Sequence, residues 1–226
     1  MKAKFGSFIV DGRGKVNGHV ISKNRAGSYI RTKVTPVNPR SASQLTVRNR
    51  LSGLAIGWRA LTAAQRASFN GATKNFQHTN IFGDLKTPSG FNLYQKLNNN
   101  LLLAGQAQIT GAPNPGAVLS VNIGALTCTV AGQVVSLAIS AAVPAATTCV
   151  VRATTGLSAG ISFVKSQLRV ITTFPPAQAS PLVLTASWAT KFGAFVAGQR
   201  IFVSIEFVNN VTGQVTIQQI TSAIAA

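Results

Sequence analysis

Acid–base catalysis, metal binding and nucleophilic attack draw on a short roster of side chains, and this chain of 226 residues holds few of them. There are three acids, Asp11, Asp84 and Glu206, with two histidines, His19 and His78, and two cysteines, Cys128 and Cys149. General acid–base work needs carboxylates or imidazoles held close together, and these acids fall in three separate segments. Neither histidine has an acid at a spacing that suggests a triad or a metal site, so both read as ordinary surface or turn residues. The cysteines lack zinc spacing and are too few for a disulfide scaffold. Both occupy inward-looking strand positions. They could pair across a β domain, although two small buried hydrophobes are the commoner outcome. Gly12-Arg13-Gly14-Lys15 has the flavour of a phosphate loop, but that loop requires GxxxxGK with a following Ser or Thr between strand and helix. Here Val16 follows. The chain reads as a non-enzyme without cofactor, metal or small-molecule substrate.

Cations are what it has in excess. Lys and Arg number 21, and the formal net charge is +18. Residues 1–110 carry 16 basic and 2 acidic side chains, a net of +14, whereas residues 111–226 carry 5 and 1, a net of +4. A field of that sign in one half points to an acidic protein surface, a nucleic acid or an anionic membrane. No apolar run approaches the roughly 20 residues of a spanning helix, so no membrane partner is expected. The first residues, Met1 to Gly6, have the charge of a signal n-region but lack the apolar core, since Asp11, Arg13 and Lys15 interrupt it; synthesis without export is the expectation.

The elements that must position these cations turn on the stretch Thr35-Pro36-Val37-Asn38-Pro39-Arg40-Ser41-Ala42-Ser43-Gln44. Each proline fixes its own φ and keeps the preceding residue out of the α region, so a helix can begin only afterwards, with Ser41 or Ser43 as N-cap. From there Val47, Leu51, Leu54 and Trp58 fall on one helical face. Before the stretch, short strands are expected at Phe5 to Val10, Val16 to Ser22 and Ser28 to Val34, with turns at Gly12-Arg13-Gly14 and Asn24-Arg25-Ala26-Gly27. Tyr29, Arg31 and Lys33 share one face of the last strand. A partner-binding arm is the functional reading of this ribbon, with Lys15, Lys23, Arg25, Arg31, Lys33, Arg40 and Arg48 as candidate contacts. The plainer reading is a solvated edge strand whose charges discourage aggregation.

A first helix is expected from about Ser43 to Arg59. A second is expected from Leu61-Thr62, where Thr62 and Gln65 make the Thr-x-x-Gln capping box. A third should run from about Phe91 to Leu103, capped by Ser89 and stopped by Gly105. Trp58 and Tyr94 read as core. Gly111, Pro113, Pro115 and Gly116 read as linker. Beyond them the pattern changes to period two, at Leu126/Cys128/Val130, Val135/Leu137/Ile139, Cys149/Val151, Leu168/Val170, Ile201 to Phe207 and Val215/Ile217. Leu182 to Trp188 is a further candidate strand. The resulting fold class is α+β. It comprises a basic β-hairpin arm over residues 1–40, a small three-helix domain over 41–105, a linker over 106–117 and an antiparallel β-sandwich of immunoglobulin or fibronectin III type over 118–226.

The first half also carries a resemblance. Gly14-Lys15-Val16, Arg25 to Arg31, Pro36 to Gln44, Arg48, Trp58, Leu61 to Arg66 and Ser89 to Tyr94 together resemble a group of tailed-bacteriophage virion proteins. That group shows Asn-Pro-Arg-Thr-x-x-Gln before the helix and Trp-x-x-Leu-Thr-x-x-Gln-Arg across the helix junction. The likeness covers roughly residues 12–103. Ser41 stands where threonine is usual, and Phe69 where tryptophan is common. The resemblance implies a virion structural protein, capsid-associated or part of the tail or connector. Such a protein is made in the host cytoplasm, repeated in the particle or homo-oligomeric, and held by other virion proteins. The prolines, glycines and alternating apolar residues favour a protein partner for the arm, because phosphate binding alone would tolerate a disordered tail. The alternative is a nucleic-acid-binding or packaging protein with sequence-independent phosphate contacts. No aromatic-interleaved RNA motif or recognition-helix signature supports base reading.

Overall fold

The computed structural model describes residues 12–226 except Ala26, Pro36 and Ile81. The strand expected at Phe5 to Val10, Asp11 and the role given to Pro36 lie outside the described residues. The chain is α+β. Its described residues form four α-helices, and their sheet pairings are antiparallel. It divides into two compact units: one of residues 12–49 and 77–86 in their described part, the other of residues 50–76 and 87–226.

In the first unit, β1 (Gly14–Val16), β2 (His19–Asn24) and β3 (Gly27–Thr32) form a three-stranded sheet in that order. The strand expected from Val16 to Ser22 is interrupted, because Val16 pairs with His19 across Asn17-Gly18 and Asn17 has φ +51°. Asn-Gly is the strongest two-residue hairpin signal, since both of its residues tolerate positive φ. A turn therefore falls there; the turn expected at Gly12-Arg13-Gly14 follows the strand at Phe5 to Val10, which lies outside the described residues. The second turn, between Asn24 and Gly27, is where the sequence places it. A small hairpin pairs β4 (His78–Thr79) with β5 (Leu85–Lys86). Asn80 organises its turn, its Oδ1 accepting from the backbone of Phe82 and Asp84 at 2.9 Å each.

Helix α1 (Ala42–Ala60) begins after Ser41, whose Oγ accepts from Gln44 N–H at 3.4 Å. In the second unit, Thr62 caps α2 (Ala63–Ala72) with both bonds of the capping box, and Ser89 caps α3 (Gly90–Leu103). Leu54, Leu61, Phe69, Leu93, Tyr94 and Leu97 form the core of these helices, with Trp58 packed against it. Trp58 lies 5.4 Å from the Tyr94 ring and 6.0 Å from that of Phe69. The expected apolar face of α1 is buried only in part. Leu54 is inaccessible, whereas Val47 and Leu51 are 55% and 45% exposed.

Residues 118–226 build two sheets. One has the order β10 (Leu182–Val183), β7 (Val134–Ile139), β6 (Ile123–Thr129); the other has β12 (Gln219–Ile224), β11 (Arg200–Asn209), β8 (Thr147–Ala153), β9 (Arg169–Phe174). One apolar cluster draws on both, including Leu126, Val135 and Leu137 from the first and Val151, Val203 and Phe207 from the second. The sheets also meet along one edge. Ala226 N–H donates to Cys128 O, Val130 N–H donates to Ala226 O, and the Gln219 amide spans Val121 O and Ile123 N. The strand expected at Leu182 to Trp188 stops at Val183. Thr185–Phe192 is instead helix α4, which drives Trp188 into the core, where its indole N–H donates to Thr154 O at 3.1 Å. Leu184, Trp188 and Phe192 stand four apart, and that helical signal outweighs the alternation. Ile217, expected inward, is 89% exposed.

The linker expected at 106–117 lies inside the second unit, and its first half is held against the helices. Asn98, fully buried on α3, accepts from Ile109 N–H at 2.7 Å and donates to Ile109 O at 3.2 Å. Ala112 N–H donates to Ser68 Oγ at 3.1 Å. Both cysteines are free thiols buried in the β core.

Candidate partner-binding surface

Side chains directly opposite one another in an antiparallel sheet share a face. In the N-terminal sheet Lys15 pairs with Val20 and Val20 with Arg31, which puts two cations in one row. Ser22 and Tyr29 form the next row of that face, and Lys33 extends it, its N–H donating to Gly18 O at 2.7 Å. The opposite face carries Val16, His19, Ile21, Lys23, Ile30 and Thr32. The sheet is therefore two-sided, with cations around Val20 and Tyr29 on one face and mostly apolar or uncharged groups on the other.

Of the seven candidate contacts, the sheet brings together Lys15, Arg31 and Lys33. Lys23 points to the other face, Arg25 lies in the β2–β3 turn, Arg40 precedes α1 with φ +48°, and Arg48 stands on α1. All seven are exposed. Lys15, Arg25, Arg31, Lys33, Arg40 and Arg48 make no side-chain hydrogen bond or ion pair with a described residue. Tyr29 shares the face of Arg31 and Lys33 as the alternation predicts, whereas the placement of Lys15 and Val20 beside Arg31 was not read from the sequence. The Asn17-Gly18 turn, which sets the register, was the signal that could have given it.

Among the described residues, Lys15, Arg31 and Lys33 have no acidic partner. Asp84 is engaged with Asn80, whose Nδ2 donates to it at 3.1 Å. Glu206 pairs with Arg152 at 2.6 Å, on β11 and β8. Among the described residues no group of three His, Cys, Asp or Glu side chains could hold a metal ion. His19 and His78 are exposed on β2 and β4. Burial pushes the Cys128 thiol up to about 11 and, with Glu206 adding repulsion, that of Cys149 up to about 12, so neither is a nucleophile near neutral pH. A cleft of about 500 Å³ in the second unit is lined in part by Asn100, Gln214 and Gln219, and these amides are already bonded to Gly213 O, Gly116 N and the Val121–Ile123 backbone. No described helix is long and apolar enough to cross a membrane.

The first unit has a second property. None of its described residues is buried, although Val16, Val34, Val37, Leu45, Val47 and Leu85 are all large, apolar and at least 44% exposed.

No protein-family model matches the chain, and neither a curated protein nor a solved structure matches it.

Proposed function

We propose that the chain is a non-enzymatic structural component of a tailed-phage particle, capsid-associated or in the tail or connector, and that it joins the particle through its N-terminal unit. One observation carries the assembly reading. A three-stranded sheet, a short hairpin and the first turns of a helix hold no buried side chain among the described residues, and pieces of that size need a packed face to be stable. Their apolar side chains find that face on a neighbour. The resemblance of residues 12–103 to phage virion proteins supplies the kind of particle.

The finer architecture follows the same reading. We take residues 118–226 as a fibronectin III-like or immunoglobulin-like sandwich, supported by the two strand orders, the shared core and the parallel contact between the first and last strands. Such modules serve many functions, so the likeness bears on architecture alone.

The test is to purify particles by density gradient from a host lysate producing the phage that encodes this chain, and to measure its copies per particle by mass spectrometry. A fixed multiple of copies in intact particles is expected. Particles of full composition without the chain would sink the proposal.

A further inference from the structure

We infer that the face bearing Lys15, Arg31 and Lys33 is a phosphate-binding surface for duplex DNA, leaving the opposite face of the same sheet for protein. The inference rests on the reading that the N-terminal unit is where this chain meets its partners, and it names the partner of one face.

Four observations lead there. First, Lys15, Arg31 and Lys33 are exposed and make no side-chain hydrogen bond or ion pair with a described residue, so their charge is open to a partner of opposite sign. Second, the spacing is regular. Arg31 and Lys33 are two residues apart along an extended segment, about 7 Å, and Lys15 and Arg31 are two strand spacings apart, about 10 Å. A duplex presents a phosphate on each strand for every 3.4 Å or so of axis, so a flat sheet with cations on this grid reaches several phosphates at once. Third, protein interfaces deplete lysine at their centres and concentrate aromatic and apolar groups there. That description fits the face with Val16, Ile21 and Ile30 better than the face with Lys15, Arg31 and Lys33. Fourth, among its described residues the basic face bears one aromatic ring, Tyr29, and no acid. Single-strand binders stack successive bases on several rings, and base readers need groups that distinguish donors from acceptors in the groove. What remains is sequence-independent contact with the backbone.

The experiment uses the purified full chain and a fluorescently labelled random-sequence duplex, with anisotropy read across roughly 50 to 200 mM salt. The variant Lys15→Gln/Arg31→Gln/Lys33→Gln is compared with Lys96→Gln/Lys165→Gln/Lys191→Gln, which removes the same charge from exposed lysines of the second unit. The expected result is a log–log salt slope lower by about 3 in the sheet variant and unchanged in the control. Lys15→Arg/Lys33→Arg retains the slope. Two unrelated duplex sequences bind alike. Equal loss in both glutamine variants would mean bulk charge attraction and overturn the inference. So would binding to polyglutamate that exceeds binding to DNA and is lost in the sheet variant, because the face would then be built for an acidic protein. Circular dichroism melts of all variants distinguish a lost surface from a lost fold. Ile30→Ser, on the other face, weakens incorporation into particles while leaving the salt slope intact. Failure of assembly is thereby read separately from failure of DNA binding.

Discussion

Gly213 and Leu97 touch backbone to backbone: a Cβ added at 213 would run into the Leu97 carbonyl, and Gly213 has φ +71°. Asn100, three residues along α3, donates to Gly213 O at 2.9 Å. The turn after β11 is thereby seated on the helix, and the helical core and the β domain share one unit. Gly213→Ala brings both a strained φ and a clash with backbone that cannot rotate away. A loss of about 2–4 kcal/mol is expected from the denaturant midpoint at unchanged m. A loss under about 0.5 kcal/mol would refute this seating.

Asn98 is the clamp on the segment that follows α3. Removing its amide leaves Ile109 N–H and C=O in a buried site without partners, at about 1–3 kcal/mol for each unsatisfied group. Asn98→Ala is expected to lower stability by about 2–4 kcal/mol and to open residues 106–117 to proteinase K. The parent chain should resist cutting there. Rapid cleavage of the parent in that segment would show the clamp to be ineffective.

Thr62 Oγ1 accepts from Gln65 N–H at 3.3 Å, and Gln65 Oε1 accepts from Thr62 N–H at 2.9 Å. Thr62→Ala removes one bond and loosens the other, for a loss of about 1 kcal/mol. Thr62→Ser should restore most of it. Equal stability of all three proteins, measured by urea unfolding, would count against the cap.

The two thiols predict an alkaline limit. Unfolded cysteines ionise near 8.5, whereas burial holds Cys128 neutral to about 11 and Cys149 to about 12. Keeping them protonated favours the native state fully below pH 8.5 or so. That contribution is lost as pH rises toward the folded values, by up to about 1.4 kcal/mol per pH unit for each thiol. In the Cys128→Ala/Cys149→Ala variant the decline between about pH 9 and 11 should be shallower. Parallel curves for variant and parent would exclude the thiols as its cause.

Local chemistry was the legible part of the fold. The Thr62–Gln65 box, the Ser89 cap, the Asn24–Gly27 turn and the strands around Leu137, Val151 and Ile205 follow from residues within a few positions of one another. Features decided by distant partners were not legible. Leu54 is inaccessible whereas Val47 and Leu51 are exposed, and nothing in the spacing of residues 42–60 distinguishes them. The segment 106–117 has linker composition, yet one asparagine eight residues before Gln106 holds it in place. Helix α4 was hidden because Leu182, Leu184 and Trp188 satisfy both periods, and burial of the indole selects the helical one. For the binding face, the cations were visible in the sequence. Alternation put Arg31 and Lys33 on one face, and bringing Lys15 beside them depended on the Asn17-Gly18 turn that sets the register.

A unit whose described residues include no buried side chain also has an order of events built into it. Residues 12–49 leave the ribosome before Phe69, Leu93 and Leu97, which complete the helical core with Leu54. At about 5–20 residues per second, the stretch from 50 to 103 takes roughly three to eleven seconds to follow. During that interval residues 12–49, rich in cations, are exposed without the helical core, and none of their described side chains is buried. The first polyanion it meets is the ribosome's own RNA. The expected consequence is that protein purified at low ionic strength carries host RNA and sheds it as salt rises.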